Sequence, residues 1–431
     1  MKAYFIIIGL DDSKETHFLP EVSEYIRKGR FFSGGIRHRE IVKDLLPADA
    51  EWIPITVPLD KVFTEYREVF AHGQPSIIVF ASGDPLFFGF ANTIRREMPD
   101  ADIKLYPFFN SLQLLAHRLL MPYDDMRTVS LTGRPWQEFD RALIERAPKL
   151  GILTDRAHTP VTIAKRMLEY GYDYYTMYVG ECLGNPEKER VRQMTLHEAV
   201  SGEFQHPNNL LLVRTYEQST GRNTSNCRTI ENSDQRNIEE SSSNRVFSAR
   251  PFGIPDEDFT LLDGRKRMIT KSPIRLLTLQ ALELNRKQVF WDIGFCTGSV
   301  SIEARLLFPH LTVVAFEIRP EGEKLMATNS RRFGAPGITT IIGDFMETDI
   351  TALSPPDAVF IGGHGGQLAA MLARIRQLLL PEGCVVFNSV SDSSREIFRE
   401  AAIQAGFSLD TPLNITVNDY NPIEIMKAYI L

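Results

Sequence analysis

An apolar run followed by a glycine-containing turn lies between residues 289 and 299, and this pattern could hold a nucleoside. The run includes Asp292, and the turn after it has two glycines in a G-x-x-x-G spacing. Because glycine lacks a Cβ atom, the backbone amides of such a turn can approach a ligand closely. We therefore predict that a ligand can closely approach the backbone of this turn, which consists of Gly294, Phe295, Cys296, Thr297 and Gly298.

Two further acids follow the next two apolar runs. Glu317 ends the first of these runs, where a carboxylate can hold both hydroxyls of a ribose. Asp344 follows the second run, where an aspartate can meet the amino group of adenine. The turn lacks the G-x-G-x-x-G spacing of pyrophosphate-binding loops, and an acid precedes it, so the pattern favours S-adenosylmethionine over a dinucleotide. The alternative is a tight strand–helix turn with a glutamate at the surface.

The chain must bring these residues to one edge of a sheet, and its hydrophobic pattern predicts that it does. Helical stretches separate the apolar runs of the second half, which lie at 289–293, 312–317, 339–342, 358–361 and 384–388. The tail is expected to form an antiparallel hairpin of 413–417 and 425–431. Such alternation predicts an α/β fold with a doubly wound sheet, which binds its ligand at the carboxyl ends of the strands.

The first half also alternates apolar runs with amphipathic helices, which predicts an α/β fold with largely parallel sheets. Its strands are expected at 4–9, 76–81, 104–106, 127–130, 149–153, 174–179 and 210–214. Its helices are expected at 20–28, 110–119 and 160–170. Residues 216–249 are polar and cannot bury enough apolar surface to offset the entropy of ordering, so they are predicted to be a flexible linker between domains 1–215 and 250–431.

Composition restricts the classes of protein. The 431 residues are 43% hydrophobic and 24% charged, with a formal net charge of −7, which disfavours a nucleic-acid partner. The four cysteines form no C-x-x-C pair, so we expect neither a metal site nor a disulfide framework. No apolar run approaches the roughly 20 residues of a membrane helix. We therefore expect a cytoplasmic protein without a membrane partner.

Three segments of the second half carry a specific resemblance. Residues 250–259 read RPFGIPDEDF, residues 268–275 read MITKSPIR, and residues 357–366 read DAVFIGGHGG. Together with the glycine turn they make 254–431 resemble the decarboxylating precorrin methyltransferases of the cobalamin pathway. That resemblance implies a Rossmann-like class I methyltransferase fold, with S-adenosylmethionine bound by the turn 294–298 and by Thr270, Glu317, Asp344 and Phe345.

An ordered series of motifs in the first half carries a second resemblance. Residues 33–38 read SGGIRH, 79–89 read VFASGDPLFFG, 131–134 read LTGR, 153–160 read LTDRAHTP and 179–184 read VGECLG. The series resembles the tetrapyrrole methylase family, whose fold has two α/β lobes with S-adenosylmethionine in the cleft between them. By this resemblance the cofactor-lining residues are Gly9, Ser82, Gly83, Asp84, Leu86, Phe87 and Ser111.

The two resemblances together imply a precorrin substrate, methylated at ring carbons 5 and 15 and decarboxylated at the carbon-12 acetate. The nucleophile is a ring carbon, so no side-chain nucleophile is required. His364, in a glycine-flanked turn, is our candidate proton donor for the decarboxylation. Arginine forks suit the substrate's carboxylates, and the candidates beside the motifs are Arg37, Arg134, Arg267 and Arg275. Relatives with the tetrapyrrole methylase fold suggest a homo-oligomer.

Two other classes of function stay open at this point. One is a methyltransferase that acts on RNA or protein through its second domain alone. The other is a binding or scaffold protein in which two departures from the family patterns disable both cofactor sites. These departures are Cys296, where glycine is usual, and residues 9–13, which read GLDDS where G-x-G-P-G is usual. Direct cofactor binding separates the scaffold from the enzymes.

Overall fold

The chain forms two compact units, Met1–Arg214 and Thr215–Leu431, in a computed structural model. The structure describes residues 2–11, 18–215, 252–263, 265, 268–418 and 422–430. The predicted linker at 216–249 and Arg267 lie outside the described residues.

The first unit contains ten strands and eight α-helices among its described residues. The strands are β1 (Tyr4–Leu10), β2 (Phe31–Gly34), β3 (Glu51–Pro54), β4 (Ile77–Ser82), β5 (Asp102–Tyr106), β6 (Arg127–Ser130), β7 (Lys149–Leu153), β8 (Tyr175–Glu181), β9 (Arg190–Thr195) and β10 (Asn208–Arg214). The helices are α1 (Pro20–Lys28), α2 (Ile36–Val42), α3 (Asp60–Ala71), α4 (Phe90–Glu97), α5 (Ser111–Arg118), α6 (Gln137–Ile144), α7 (Pro160–Glu169) and α8 (Leu196–Val200).

The first sheet of this unit is parallel throughout, with strand order β3-β2-β4-β1-β5. Strand β1 lies in the interior of this sheet, between β4 and β5, and its residues Phe5 to Ile8 form an uninterrupted apolar run that is buried on both faces. Aromatic side chains from α3, among them Phe63 and Tyr66, pack on one face. The sheet therefore presents the carboxyl ends of β1 and β4 together at one edge.

The second sheet of the unit is mixed, whereas the first sheet follows the predicted parallel pattern. Its strand order is β6-β7-β10-β8-β9, and only β6 and β7 run parallel. The connection from β8 to β9 is short, so it can make a hairpin but not the helical crossover that a parallel pair needs. Strand β9 was not predicted, because none of its residues is fully buried and its apolar pattern is weak.

The second unit has eight strands and five α-helices among its described residues. The strands are β11 (Val289–Ile293), β12 (Thr312–Glu317), β13 (Ile338–Ile342), β14 (Ala358–Ile361), β15 (Cys384–Ser389), β16 (Ser408–Leu409), β17 (Leu413–Ile415) and β18 (Ile423–Tyr429). The helices are α9 (Ser272–Ala281), α10 (Ser299–Leu307), α11 (Glu321–Phe333), α12 (Leu368–Leu378) and α13 (Asp392–Gln404).

The sheet of the second unit confirms the predicted doubly wound arrangement. Its order is β13-β12-β11-β14-β15-β18-β16, and β17 pairs with β18 as the predicted hairpin. The strands from β13 to β15 are parallel, whereas β18 is antiparallel to β15. The order reverses between β11 and β14, and a ligand crevice is expected at the carboxyl ends of these two strands. None of the described helices is both long and apolar enough to span a membrane.

Candidate active site

A cavity of about 480 Å³ opens at the carboxyl ends of β11, β12, β13 and β14. The structure brings nine of the predicted site residues to its wall: Thr270, Gly294, Phe295, Cys296, Thr297, Glu317, Asp344, Phe345 and His364. They come from five separate stretches of sequence, and the parallel strands place them at one edge of the sheet. The topological switch point between β11 and β14 therefore coincides with the predicted ligand site.

Two glycines of the predicted turn have different structural roles. Gly294 has φ +78°, and a Cβ atom there would lie 2.6 Å from the backbone nitrogen of Gly363, so the loops after β11 and β14 pack backbone against backbone. Gly298 has φ +75° and precedes α10, where a Cβ atom would lie 2.6 Å from Sδ of Met326. Gly298 therefore shapes the start of the helix, whereas Gly294 lines the cavity.

Cys296 occupies a left-handed backbone conformation, with φ +52°. This conformation explains why glycine suits the position, because a side chain in the left-handed region costs about 1–2 kcal/mol. The thiol lies 3.2 Å from the carbonyl oxygen of Met268 and donates a hydrogen bond to it. Burial, together with the charge of Glu317, raises the pKa of the Cys296 thiol, which disfavours the thiolate that a nucleophile needs.

Glu317 is the acid at the end of β12, and its side chain is nearly inaccessible to solvent. Its Oε2 accepts a 2.8 Å hydrogen bond from the backbone amide of Cys296. Its Oε1 accepts from both the backbone amide and Nη1 of Arg319, at 3.1 and 3.0 Å. These contacts fix the carboxylate at the cavity wall, and Oε2 still has a lone pair for a ligand hydroxyl.

Asp344 and Phe345 follow β13 and also line the cavity. Asp344 Oδ1 accepts from the backbone amide of Met346 at 2.8 Å, and Oδ2 accepts from Nε2 of Gln367 at 3.2 Å. Phe345 is buried against Phe316 with ring centroids 5.2 Å apart. The two residues thus combine a fixed carboxylate with an apolar surface, as an adenine ring requires.

Asp292 is a site residue that the sequence prediction did not include. It is fully buried, and its Oδ2 accepts hydrogen bonds from the backbone amide and the hydroxyl of Ser301 at 3.1 and 2.5 Å. Its Oδ1 has no partner among the described residues, nor does Oγ1 of Thr297, and both residues line the cavity. Burial raises the pKa of Asp292 to about 7. The sequence signal that could have identified Asp292 is its position two residues before the first glycine of the turn.

His364 lies in the turn after β14 and lines the cavity. Its Nδ1 accepts a 3.1 Å hydrogen bond from the backbone amide of Gly366, so the neutral ring carries its proton on Nε2. The ring packs edge-on against Phe387, with centroids 5.8 Å apart. Partial burial lowers the pKa of His364 below its ordinary value of 6.5.

Arg275 corrects the prediction that it binds a substrate carboxylate. The side chain is completely buried in α9 and forms ion pairs with Glu303 and Asp256. Its other donors reach the carbonyl oxygens of Ile254 and Thr270. A buried guanidinium whose donors are used in this way cannot reach a ligand, so Arg275 is a structural residue that also supports Thr270 at the cavity wall.

In the first unit, the loops after β1, β4 and β5 meet through close backbone contacts. A Cβ atom on Gly9 would lie 2.0 Å from the carbonyl oxygen of Gly83, and Gly83 itself has φ +58°. The Gly83 amide donates to the carbonyl oxygen of Leu10 at 2.7 Å, and its carbonyl oxygen accepts from Phe108 at 3.2 Å. The structure thus brings together Gly9 and Gly83, which are far apart in sequence.

The remaining predicted residues of this unit lie on those loops and their neighbours. Ser82 ends β4 and is exposed, and Asp84 Oδ1 accepts a 2.9 Å hydrogen bond from the backbone amide of Leu86, which closes the turn. Phe87 packs with Phe88, with centroids 5.0 Å apart. Ser111 is the first residue of α5, directly after its capping residue, Asn110.

Arg37 and Arg134 differ from Arg275 because both are exposed. Arg37 Nη2 donates a 2.6 Å hydrogen bond to Oγ of Ser82. The guanidinium of Arg134 lies over the ring of Phe88, 5.0 Å from its centroid, and so joins the loop after β6 to the loop after β4. Two cations therefore flank the tight loops of the first unit.

Other residues of the second-unit cavity were not predicted. Lys271 and Asn388 line it, as do Ile415, Val417 and Ile423 from the C-terminal hairpin. The hairpin residues had no local signal, because they reach the cavity only through the pairing of β17 with β18. Lys271 directly follows the predicted Thr270 in sequence, and this position could have indicated that Lys271 lines the cavity.

A doubly wound sheet with a glycine turn, an acid after the second strand and another after the third defines a Rossmann-like methyltransferase domain. A family model described as "Precorrin methyltransferase domain" matches residues 263–429. A curated precorrin-6Y C(5,15)-methyltransferase (decarboxylating) from Sinorhizobium is 28% identical over 427 residues, which are 99% of this chain and 93% of that protein.

Shorter relatives match part of the chain at higher identity. A cobalt-precorrin-6B C(15)-methyltransferase (decarboxylating) from Salmonella typhimurium is 39% identical over 134 residues, which are 31% of this chain and 68% of that protein. A solved precorrin-6Y C5,15-methyltransferase from Geobacter metallireducens is 31% identical, covering 42% of this chain and 98% of that chain, with a TM-score of 0.38. The chain belongs to the decarboxylating precorrin methyltransferase family, which confirms the resemblance seen in its motifs.

Proposed function

We propose that this enzyme methylates a precorrin at ring carbons 5 and 15 with S-adenosylmethionine, and decarboxylates the acetate at carbon 12. The observation that supports it best is the second-unit cavity, which is lined by the fixed carboxylate of Glu317. Two buried polar atoms of residues in the same wall, Oδ1 of Asp292 and Oγ1 of Thr297, have no partner among the described residues. Similarity to the Sinorhizobium protein over almost the whole chain supports the same reaction.

The cavity residues fit S-adenosylmethionine, which when bound would supply an electrophilic methyl group on a sulfonium. Glu317 would accept hydrogen bonds from the ribose hydroxyls, and Asp344 would accept from the adenine amino group beside Phe345. Asp292 Oδ1 and Thr297 Oγ1 would meet polar groups of the amino-acid part. An unpaired buried polar atom costs about 1–3 kcal/mol, so a polar ligand at these atoms would offset a cost already present in the protein.

The residues of this chain would mainly align the reactants and exclude water. Methyl transfer to an electron-rich ring carbon requires no side-chain nucleophile, and the protonated Cys296 agrees with this. Gly294 and Gly363 line the cavity, and the absence of a Cβ atom at Gly294 lets their backbones pack against each other. Alignment of this kind is a large source of rate enhancement in transfer reactions.

We further propose that His364 donates a proton to the ring system after carbon dioxide leaves. A neutral imidazole does not release its proton near physiological pH, so the donor would be the imidazolium form of His364. In that form Nδ1 also carries a proton and no longer accepts from the Gly366 amide. The conjugated ring of the substrate can accept the electron pair left by the carboxylate, as cofactors do in other decarboxylations. His364 would then return a proton from the cavity wall.

The assignment of the reaction steps to the two units is also a proposal. Domain 250–431 would act at carbon 15 and on the acetate, as the shorter decarboxylating relatives suggest by their names. Domain 1–215 would act at carbon 5, with a second S-adenosylmethionine held by Gly9, by Ser82 to Asp84 and by Leu86, Phe87 and Ser111. Arg37 and Arg134 would hold substrate carboxylates. The homo-oligomer and the cytoplasmic location stay predictions.

Calorimetric titration of the whole chain with S-adenosylmethionine tests the proposal, with a precorrin assay as its complement. We expect two sites per chain, and incorporation of two labelled methyl groups with release of one carbon dioxide. Replacing Gly83 with Ala should abolish one site and Glu317 with Gln should weaken the other. A single site would make the enzyme a one-step methylase, and binding by neither unit of a folded chain would favour the scaffold alternative.

A further inference from the structure

Ser82, His38 and Arg37 form a side-chain cluster beside the tight loops of the first unit. Oγ of Ser82 lies 2.6 Å from Nη2 of Arg37 and 3.0 Å from Nε2 of His38. Ser82 ends β4, whereas both partners lie in α2, which follows β2. The adjacent pairing of β2 and β4 brings these distant residues together.

The direction of the hydrogen bonds in this cluster follows from the ring of His38. Its Nδ1 accepts a 3.2 Å hydrogen bond from the backbone amide of Gly35, so Nδ1 has no proton. Burial, with the nearby charge of Arg37 as a second cause, lowers the pKa of His38 to about 4. The ring is therefore neutral at physiological pH, its proton is on Nε2, and Nε2 donates to Ser82.

This arrangement excludes one role for Ser82 and leaves another. A histidine that already carries a proton on Nε2 cannot take the serine proton, so the pair is not an activated nucleophile. A serine hydroxyl has two acceptor lone pairs and one proton. Arg37 and His38 donate to Oγ and use both lone pairs, so the hydroxyl proton must point away from them. Ser82 is exposed, so a ligand can reach the hydroxyl.

We propose that Ser82 is a fixed hydrogen-bond donor to a ligand carboxylate, and that His38 is the positioning residue that sets this direction. The inference rests on the proposed function, because both ligands of the first unit carry carboxylates. One source is a carboxylate arm of the tetrapyrrole, and the other is the amino-acid carboxylate of S-adenosylmethionine. The positive charge of Arg37, in contact with the same oxygen, strengthens the donor and attracts either anion.

Four variants of the whole enzyme test this assignment: S82A, H38A, H38Q and the double variant S82A/H38A. We expect S82A to weaken the affinity for one carboxylate ligand by about 10- to 100-fold, as loss of a hydrogen bond to a charged group does. An increase in the dissociation constant of S-adenosylmethionine would identify the cofactor as the source. An increase in KM for the precorrin, with cofactor affinity and kcat unchanged, would identify the substrate.

The role of His38 has its own readouts. If His38 acts through Ser82, H38A should weaken affinity in the wild-type background but add nothing to S82A, and H38Q, which keeps a donor near Nε2, should restore part of the loss. Nitrogen NMR of the His38 ring should show the proton on Nε2. Additive effects of S82A and H38A, or a proton on Nδ1, would overturn the positioning role.

Failure of this inference can be told apart from failure of the proposed function. A wild-type chain that neither binds S-adenosylmethionine nor methylates the precorrin would contradict the function itself. A wild-type chain that does both, with S82A equal to it in cofactor affinity and in KM, would overturn only the role of Ser82. The exposed Ser23 of α1 provides the matched serine control as S23A, which should equal the wild type in both measurements.

Discussion

The backbone amide of Cys296 donates a 2.8 Å hydrogen bond to Oε2 of Glu317, and this contact links the turn after β11 to the acid after β12. Cys296 adopts the left-handed conformation, with φ +52°, in the same turn. The hydrogen bond fixes the carboxylate that is proposed to hold the ribose.

Replacing Glu317 with Gln should weaken S-adenosylmethionine binding in the second unit by about 10- to 100-fold. The change removes the charge and replaces one carboxylate oxygen with an NH2 group. Because this group cannot accept a hydrogen bond, one acceptor is lost for Cys296, for Arg319 or for the ligand, depending on the orientation of the amide. Calorimetry on the whole chain measures the effect. The exposed Glu321 of α11 provides the control as E321Q, and equal affinity of E317Q and wild type would contradict the assignment.

Cys296 offers a test of backbone strain. Cys296→Gly should relieve up to about 1 kcal/mol of left-handed strain, partly offset by the flexibility of glycine in the unfolded chain. Cys296→Val should destabilise the protein by about 1–2 kcal/mol or more, because a branched side chain tolerates this conformation least. Urea unfolding measures both variants. Equal destabilisation by Gly and Val would show that the thiol contact with Met268 matters more than the backbone.

His364→Ala should slow the decarboxylation by at least about 10-fold while S-adenosylmethionine binding stays unchanged. If the protonated ring is the acid, the rate should fall as pH rises through its pKa, which burial places below 6.5. Release of labelled carbon dioxide measured across pH provides the test. His310→Ala, at a position outside the cavity wall, is the control, and wild-type turnover by the His364 variant would end the proposal.

Arg275→Met should destabilise the second unit by about 3–5 kcal/mol, because it leaves Glu303 buried without its partner. Trp291 is buried in this unit, so its fluorescence reports the unfolding when Trp52 and Trp136 are replaced by Phe. Arg332→Met, which removes an exposed ion pair with Asp258 and a contact with the Phe333 ring, should cost less than about 1 kcal/mol. If the Arg275 variant were stable and had a raised KM for the precorrin, the result would favour the prediction from the sequence that Arg275 binds a substrate carboxylate.

Asp292 should make the stability of the second unit depend on pH. Its pKa is raised from 3.8 to about 7 by burial, so between these values the folded state holds a proton that the unfolded state has lost. Its contribution is therefore fully present below about pH 4 and is lost as pH rises through 7, by up to about 4 kcal/mol. Asp292→Asn should flatten this dependence in urea unfolding followed by Trp291. The exposed Asp263→Asn, in the same unit, is the control, and an unchanged slope in Asp292→Asn would contradict the prediction.

Local patterns in the sequence were sufficient to predict the strands and helices that form the cavity of the second unit. Strands β11, β12 and β14 have the predicted bounds, as do β6, β7 and α1 in the first unit. Buried parallel strands read as uninterrupted apolar runs, and the acids and glycines follow at their ends, where the topology places ligands. The sequence alone therefore determined the class of fold, the position of the turn and the identity of the acids at its edge.

The tertiary structure decided what depends on distant neighbours. Arg37 and Arg275 both lie beside motifs, but only Arg275 meets Glu303 and is buried, and no local pattern separates the two. Likewise the mixed second sheet, the hairpin wall of the cavity and the contact of His38 with Ser82 arise from strand pairing. Hydrophobic periodicity reports which face of an element is buried, whereas pairing and burial of a charge depend on residues that only the folded chain brings together.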